Sequence, residues 1–88
     1  MPERTVTVAA KVGLHARPAA VFVKRAAALP VPVTVAREGG APVDAKSMLA
    51  VMSLDVRHGD RIVLAADGDG AAEAVDDLAT LLETDLDG

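Results

Sequence analysis

Residues 13–19, which read Gly-Leu-His-Ala-Arg-Pro-Ala, carry side chains whose types and spacing could do chemistry. His15 supplies an imidazole, which is largely uncharged near neutral pH and then has a nucleophilic ring nitrogen. Pro18 fits the first turn of a helix, where a missing N–H costs nothing, so His15 falls at or next to the N-cap. The unpaired amides of Ala16 and Arg17, with the Arg17 guanidinium, would attract an anion there. A nucleophile beside such donors suits a transferring phosphoryl group.

The same residues also have a plainer explanation. A single histidine near a helix start is usually an ordinary surface cap, and an arginine beside it is usually a solvated charge. His58, in a turn before Gly59, is predicted to be a solvated loop histidine without a role. The loop at 67–70 begins like a calcium loop, but Leu78 stands where such a loop needs a glutamate, so neither a metal nor a cofactor is predicted.

The surrounding sequence predicts the element order β-α-β-β-α-β-α. Alternating β-branched and apolar residues predict strands, and helical periodicity with flanking Gly and Pro predicts helices. The predicted strands are 5–8, 33–36, 41–44 and 61–66, and the predicted helices are 16–29, 48–54 and one after the 67–70 loop. Gly13 permits an unusual turn between the first strand and the first helix.

Each long helix has one apolar stripe. Phe22, Ala26 and Leu29 are predicted to face the core from the first helix, and the last helix has a stripe formed by Val75, Leu78, Ala79 and Leu82. One stripe per helix predicts that the helices cover one face of a largely antiparallel sheet, which is an α+β two-layer domain. The last helix is predicted to end with Glu83, Asp85 and Asp87 near its negative dipole end, so this tail is expected to fray.

Composition excludes several classes of function. A chain of 88 residues fits one domain, 1–88. Its net charge of −4 and its single aromatic residue, Phe22, argue against binding to nucleic acid. The chain has no cysteine, which excludes disulfides and thiolate catalysis. No apolar run approaches the ~20 residues that span a bilayer, and no signal peptide is visible, so we expect a cytoplasmic monomer without membrane insertion.

Two motifs resemble those of a known family. Residues 13–19 resemble the active-site signature of HPr, the histidine-containing phosphocarrier of the bacterial sugar phosphotransferase system, and residues 46–54 resemble its regulatory-serine helix. The resemblance covers nearly the whole chain. It implies a single HPr domain over 1–88, an open-faced sandwich in which three helices cover one face of a four-stranded antiparallel sheet. Val12 departs from the small polar residue that is frequent in the family, so it offers the loop no side-chain hydrogen bond.

The resemblance also implies roles for individual residues. His15 would accept a phosphoryl group on Nδ1 from the phosphoenolpyruvate-dependent enzyme I and pass it to enzyme IIA domains of sugar permeases. Arg17 and the amides of Ala16 and Arg17 would stabilise the phosphate. Ser47, whose type also favours an N-cap, would align with the serine that a kinase phosphorylates. The expected docking residues are Ala20, Met48, Leu49 and Met52.

Such a protein is a stoichiometric carrier rather than an enzyme and needs no cofactor. Its implied partners are enzyme I and enzyme IIA domains, with an HPr kinase/phosphorylase and a transcription regulator where Ser47 is regulated. Two alternatives stay open: an HPr-like regulatory or nitrogen-related relay protein, and a small-molecule-binding module in which His15 is incidental. Phosphorylation assays distinguish these possibilities. A carrier takes an acid-labile label from enzyme I and phosphoenolpyruvate and loses it in His15→Ala. A regulatory protein takes an acid-stable label from a kinase and ATP and loses it in Ser47→Ala, and a small-molecule-binding module takes neither label.

Overall fold

The structure is a computed structural model that describes residues 2–84. Over this range the elements follow the predicted order β-α-β-β-α-β-α. The strands are β1 (Glu3–Thr7), β2 (Val33–Arg37), β3 (Val43–Asp44) and β4 (Arg61–Ala66), and the helices are α1 (Ala16–Ala27), α2 (Met48–Ser53) and α3 (Ala71–Leu82). The strand predicted at 61–66 is confirmed at both ends.

The four strands form one antiparallel sheet in the order β1-β4-β2-β3. Strand β4 lies inside the sheet, where Leu64 pairs with Arg4 of β1 and with Val35 of β2. Side chains alternate between the two faces of a strand, so Ile62 and Leu64 are buried in the core while Val63 points to the opposite, more open face. The predicted open-faced α+β sandwich is confirmed.

The helices close the covered face of the sheet with mostly small aliphatic side chains. Phe22 of α1 is fully buried and joins strand residues in one hydrophobic cluster. The predicted α3 stripe is confirmed, since the buried residues of this helix are Ala71, Ala74, Val75, Leu78, Ala79 and Leu82. Each large side chain buried in this way contributes ~1.5–3 kcal/mol. An ion pair of 2.9 Å between Arg25 and Asp77 also links α1 to α3.

Two helices end earlier than predicted. Helix α1 ends at Ala27 rather than Leu29, because Leu29 precedes Pro30 and the residue before a proline is disfavoured in the helical region. Leu29 nevertheless packs against the core as expected. Helix α2 ends at Ser53, and Leu54 is its C-cap rather than its last residue.

Two strands also differ from their predicted bounds. Strand β1 begins and ends earlier than 5–8, and Val8 continues past it with its amide donating to the carbonyl of Asp60 at 3.0 Å. Strand β3 is shorter than 41–44, because Pro42 has no N–H to pair in a ladder. Helix α3 ends at Leu82 with Glu83 as its C-cap, and the fraying expected at Asp85 and Asp87 lies outside the described residues. Among the described helices, none combines the length and apolarity that crossing a membrane requires.

Candidate functional site

The loop between β1 and α1 determines where His15 lies. Gly13 has a φ of 69°, and its amide donates to the carbonyl of Ala10 at 2.9 Å. The amide of Leu14 donates to the carbonyl of Val56 at 2.9 Å, and the Leu14 side chain is fully buried. A Cβ at position 13 would stand 2.1 Å from that same Val56 oxygen, so the loop requires glycine. The loop is therefore held against the segment that follows α2.

His15 is the N-cap of α1, as predicted. Its backbone is extended, with φ −127° and ψ 159°, and its side chain makes no capping hydrogen bond. The side chain is 37% exposed. An imidazole that neither caps the helix nor is buried is free to react with a group outside the molecule.

The first turn of α1 offers unpaired backbone donors. Within residues 2–84, the amides of Ala16 and Arg17 donate to no protein acceptor, Pro18 has no N–H, and the Ala19 amide reaches the His15 carbonyl at 3.5 Å. Ala16 has a φ of 50°, a left-handed conformation that costs an alanine roughly 1–2 kcal/mol. Two free amides and the positive end of the helix dipole favour an anion at this place.

Arg17 is exposed on the first turn of α1. Across the described residues it makes no hydrogen bond or ion pair, including none to His15. It is also absent from the set of residues that line the depression beside the imidazole. The structure therefore shows the Arg17 guanidinium exposed and out of contact with the ring of His15.

An open depression of about 390 Å³ lies beside the imidazole. Its lining residues are Lys11, Val12, His15, Asp55, Arg57 and His58. The depression is open, so a group from outside the molecule can reach the ring of His15 through it. Within the part of the chain that the structure describes, no three His, Asp or Glu side chains are placed to hold a metal ion.

Asp55 faces the ring of His15 from across this depression. Its Oδ1 lies 3.3 Å from Nε2 of His15, and its Oδ2 accepts a hydrogen bond of 3.1 Å from Nη2 of Arg57. Asp55 follows the C-cap Leu54 of α2 and has a φ of 52°. Glycine is the usual residue at such a helix end, but aspartate tolerates the left-handed conformation better than most residues. The end of α2 thus places a carboxylate against the imidazole.

Asp60 stabilises the loop that contains Asp55 and Arg57. Its Oδ2 accepts hydrogen bonds from the backbone amide of Arg57 at 2.9 Å and from the Arg37 guanidinium at 3.0 Å. The amide of Arg57, together with the positive charge of Arg37, lowers the pKa of the Asp60 carboxyl below its usual value. The Arg37 guanidinium also donates to the carbonyls of Leu54 and Asp55, so it ties this loop to β2.

Sequence reasoning missed the contribution of three residues to this depression. The sequence predicts no role for Asp55, Arg57 or His58. All three nevertheless line the depression beside the His15 ring. His58 is exposed, and its Nδ1 lies 3.2 Å from the carbonyl of Ala9, which holds it against the same loop. The one available signal was an aspartate directly after a short predicted helix, a place where left-handed backbone is common.

Helix α2 begins at the predicted cap. Oγ of Ser47 accepts a hydrogen bond from the amide of Ala50 at 3.2 Å. Leu49 is 83% exposed and Met52 is 38% exposed, while Met48 is partly buried. Ala20 is exposed on α1, the helix against which α2 packs. Leu49 and Met52 are three residues apart on one helix, so their side chains lie next to each other on its surface.

The comparisons with known proteins agree with this fold. The sequence profile of a family described as the PTS HPr component phosphorylation site matches residues 2–84. A phosphocarrier protein HPr from Streptomyces coelicolor is 51% identical over 87 residues, which covers 99% of this chain and 94% of that protein. The chain therefore belongs to the HPr family, the phosphocarriers of the phosphotransferase system.

Two further relatives place the chain within the family. A crystal structure of HPr from Thermoanaerobacter tengcongensis matches with a TM-score of 0.91 and 39% identity, covering 100% of this chain and 98% of that one. The HPr-like protein Crh of Bacillus subtilis is 37% identical, over 98% of this chain and 100% of that protein. The stronger similarity to HPr favours the phosphocarrier over the HPr-like regulatory protein.

Proposed function

We propose that His15 of this chain accepts a phosphoryl group from enzyme I and passes it to enzyme IIA domains in the cytoplasm. The observation that supports this proposal is the half-exposed imidazole of His15 at the N-cap of α1, beside the unpaired amides of Ala16 and Arg17. Each event is a transfer between proteins, so the chain acts as a stoichiometric carrier rather than as an enzyme.

The chemistry requires a nucleophile and donors for the phosphoryl oxygens. The lone pair of a neutral ring nitrogen attacks phosphorus, and the bond between phosphorus and its donor breaks. Little covalent work falls to the carrier in such a transfer, so positioning and electrostatic stabilisation carry most of the effect. The two free amides provide fixed donors, and the unengaged Arg17 guanidinium can turn toward the oxygens of the bound phosphoryl group.

The partners would dock on the apolar surface formed by Ala20, Met48, Leu49 and Met52. This surface lies near the imidazole, because Asp55, which faces His15, comes just after α2. A protein bound there would cover Leu49 and Met52 and bring its own phosphoryl-bearing side chain over His15. Replacing Leu49 with serine should then weaken partner binding while the fold survives, because Leu49 is 83% exposed.

A phosphorylation assay with enzyme I and labelled phosphoenolpyruvate tests the proposal. The expected result is acid-labile label on the wild-type chain and none on His15→Ala. His58→Ala is the matched control, because it removes the other imidazole of the same depression and should keep the label. Label that persists in His15→Ala, or that disappears only in His58→Ala, would contradict the proposal.

The same assay tests Arg17. We expect Arg17→Ala to slow transfer about 10- to 100-fold, the loss of one charge-assisted contact to the phosphoryl group. The circular dichroism spectrum should stay unchanged, since Arg17 is exposed and has no partner among the described residues. A variant that transfers at the wild-type rate would remove Arg17 from the site.

Ser47 supports a second, regulatory proposal. Its hydroxyl caps α2 next to the exposed Leu49, so a phosphate on Oγ would place charge beside the docking surface. Burying that phosphate against apolar side chains is costly, and partner binding would weaken. With a serine kinase and ATP we expect acid-stable label that is lost in Ser47→Ala and kept in Ser53→Ala. Equal labelling of both variants would exclude Ser47.

A further inference from the structure

The contacts of Asp55 leave one of its carboxylate oxygens facing His15. The position after α2 fixes its backbone, and Arg57 donates to Oδ2 at 3.1 Å. Oδ1 lies 3.3 Å from Nε2 of His15. The Asp55 side chain is 60% exposed, so this is an electrostatic contact at the rim of the depression rather than a buried ion pair.

From this geometry we propose that Asp55 is a positioning residue that holds the proton of the neutral His15 ring on Nε2 and leaves Nδ1 as the nucleophile. A neutral imidazole has one N–H and one lone pair, and the group that faces one nitrogen sets the state of the other. An ionised carboxylate can only accept a hydrogen bond, so it favours the tautomer that carries hydrogen on Nε2. This inference rests on the proposed function of His15 and names the residue that keeps Nδ1, rather than Nε2, free of its proton.

The transfer step then needs no proton movement. The Nδ1 lone pair forms the bond to phosphorus, the bond between phosphorus and the donor breaks, and the proton stays on Nε2. The product ring is a cation, and Oδ1 of Asp55 faces the nitrogen that bears its proton. The Arg57 guanidinium offsets the charge of Asp55, so the pair opposes an incoming phosphoryl group less than a lone carboxylate would.

The tautomer of His15 can be measured without any partner protein. In the chain labelled with ¹⁵N-histidine, at a pH of about 9 where an imidazole is neutral, the ring nitrogen shifts report the ratio of the two tautomers. We expect the Nε2–H tautomer to dominate in the wild type. The ratio of the Nε2–H tautomer to the Nδ1–H tautomer should fall roughly two- to fivefold in Asp55→Gly. Glycine suits the positive φ at this position, so the fold should survive.

Two variants separate the carboxylate's contact from the general effect of charge. Asp55→Asn keeps an acceptor oxygen and tolerates the same backbone, so its ratio should lie between those of the wild type and Asp55→Gly. Asp69→Asn removes one negative charge from an exposed loop elsewhere and should leave the ratio unchanged. An Asp55→Gly ratio equal to that of the wild type overturns the proposal, as does an equal fall in Asp69→Asn.

Phosphoramidate, a small phosphoryl donor, provides a second measurement. Its transfer to the ring breaks a P–N bond in the reagent, forms one in the protein and releases ammonia, and ³¹P spectra identify the nitrogen that reacted. The wild type should form the Nδ1 product, and Asp55→Gly should form a larger share of the Nε2 product. Equal shares in both would count against the proposal. Neither measurement uses enzyme I, so a failed enzyme I assay refutes the proposed function without touching this result.

Discussion

The close approach of Gly13 to the segment after α2 predicts that Gly13→Ala both destabilises the protein and displaces His15. A Cβ at position 13 would lie 2.1 Å from the carbonyl oxygen of Val56 and 2.6 Å from Cα of Arg57. Both neighbours are backbone atoms, so no side-chain rotation relieves the clash. The Val56 carbonyl also accepts the hydrogen bond of Leu14, the residue before His15.

The size of the effect follows from three contributions. An alanine at a φ of 69° costs roughly 1–2 kcal/mol, of which about 0.4–1 kcal/mol is offset by the lower entropy of the unfolded chain. Val56 must retreat by about 1 Å before the contact reaches the 3.0 Å that real Cβ atoms respect. That movement breaks the hydrogen bond of Leu14, which lowers the stability by roughly 1 kcal/mol. It also loosens the packing of the buried Leu14 side chain, which lowers the stability by roughly another 1–2 kcal/mol. We expect a loss of about 2–4 kcal/mol.

Urea unfolding measures this loss, and Gly39→Ala is its matched control. Gly39 has a φ of 83°, but a Cβ added there would meet nothing within 4 Å, so this variant isolates the cost of the backbone conformation. We expect Gly39→Ala to lose about 1 kcal/mol. If the two variants lose the same free energy of unfolding, the contact between Gly13 and Val56 does not constrain the loop, and our account of how His15 is presented is wrong.

Three further perturbations test local parts of the structure. Ser47→Ala should lower the free energy of unfolding by roughly 1 kcal/mol through loss of the cap, whereas Ser53→Ala should change it by less. Asp60→Asn should be less stable than the wild type at neutral pH. Because the folded-state pKa of Asp60 is lowered, the difference in free energy of unfolding between the two proteins should vanish as the pH falls through that pKa. A difference that stays constant during acid unfolding would contradict this. Ala16→Gly should gain up to ~1 kcal/mol by relieving the positive φ, while Ala20→Gly, inside the helix, should lose ~1 kcal/mol; changes of the same sign would show that Ala16 is not strained.

Local signals in the sequence predicted much of the fold. The alternation of Ile62, Leu64 and Ala66 fixes which face of β4 is buried, because side chains on a strand alternate strictly. Gly13 and Pro18 indicate where α1 begins, and Ser47 indicates where α2 begins. In each case the deciding interaction lies within a few residues along the chain.

The composition of the site depended on contacts that the sequence does not display. Asp55 and Arg57 are about 40 residues from His15, and only the packing of the segment after α2 against the Gly13 loop brings them to the ring. The spacing of Arg17 from His15 predicts that its guanidinium lies beside the ring, but the guanidinium does not contact the ring in the structure. Two residues of separation at a helix start bring the backbone close without fixing the direction of a long side chain.

Backbone strain beside His15 bears on the two explanations of this residue that the sequence left open. Ala16 and Asp55 are the two residues other than glycine with a positive φ in the described part of the chain. This conformation costs the alanine roughly 1–2 kcal/mol, whereas an aspartate directly after a helix tolerates it. One follows His15 directly, and the other contacts its ring. An ordinary surface cap does not need the strained backbone of Ala16, because an N-cap requires only extended backbone at the cap itself. Strain at Ala16, directly after the imidazole, fits the proposal that the fold holds a reactive group and its donors in place.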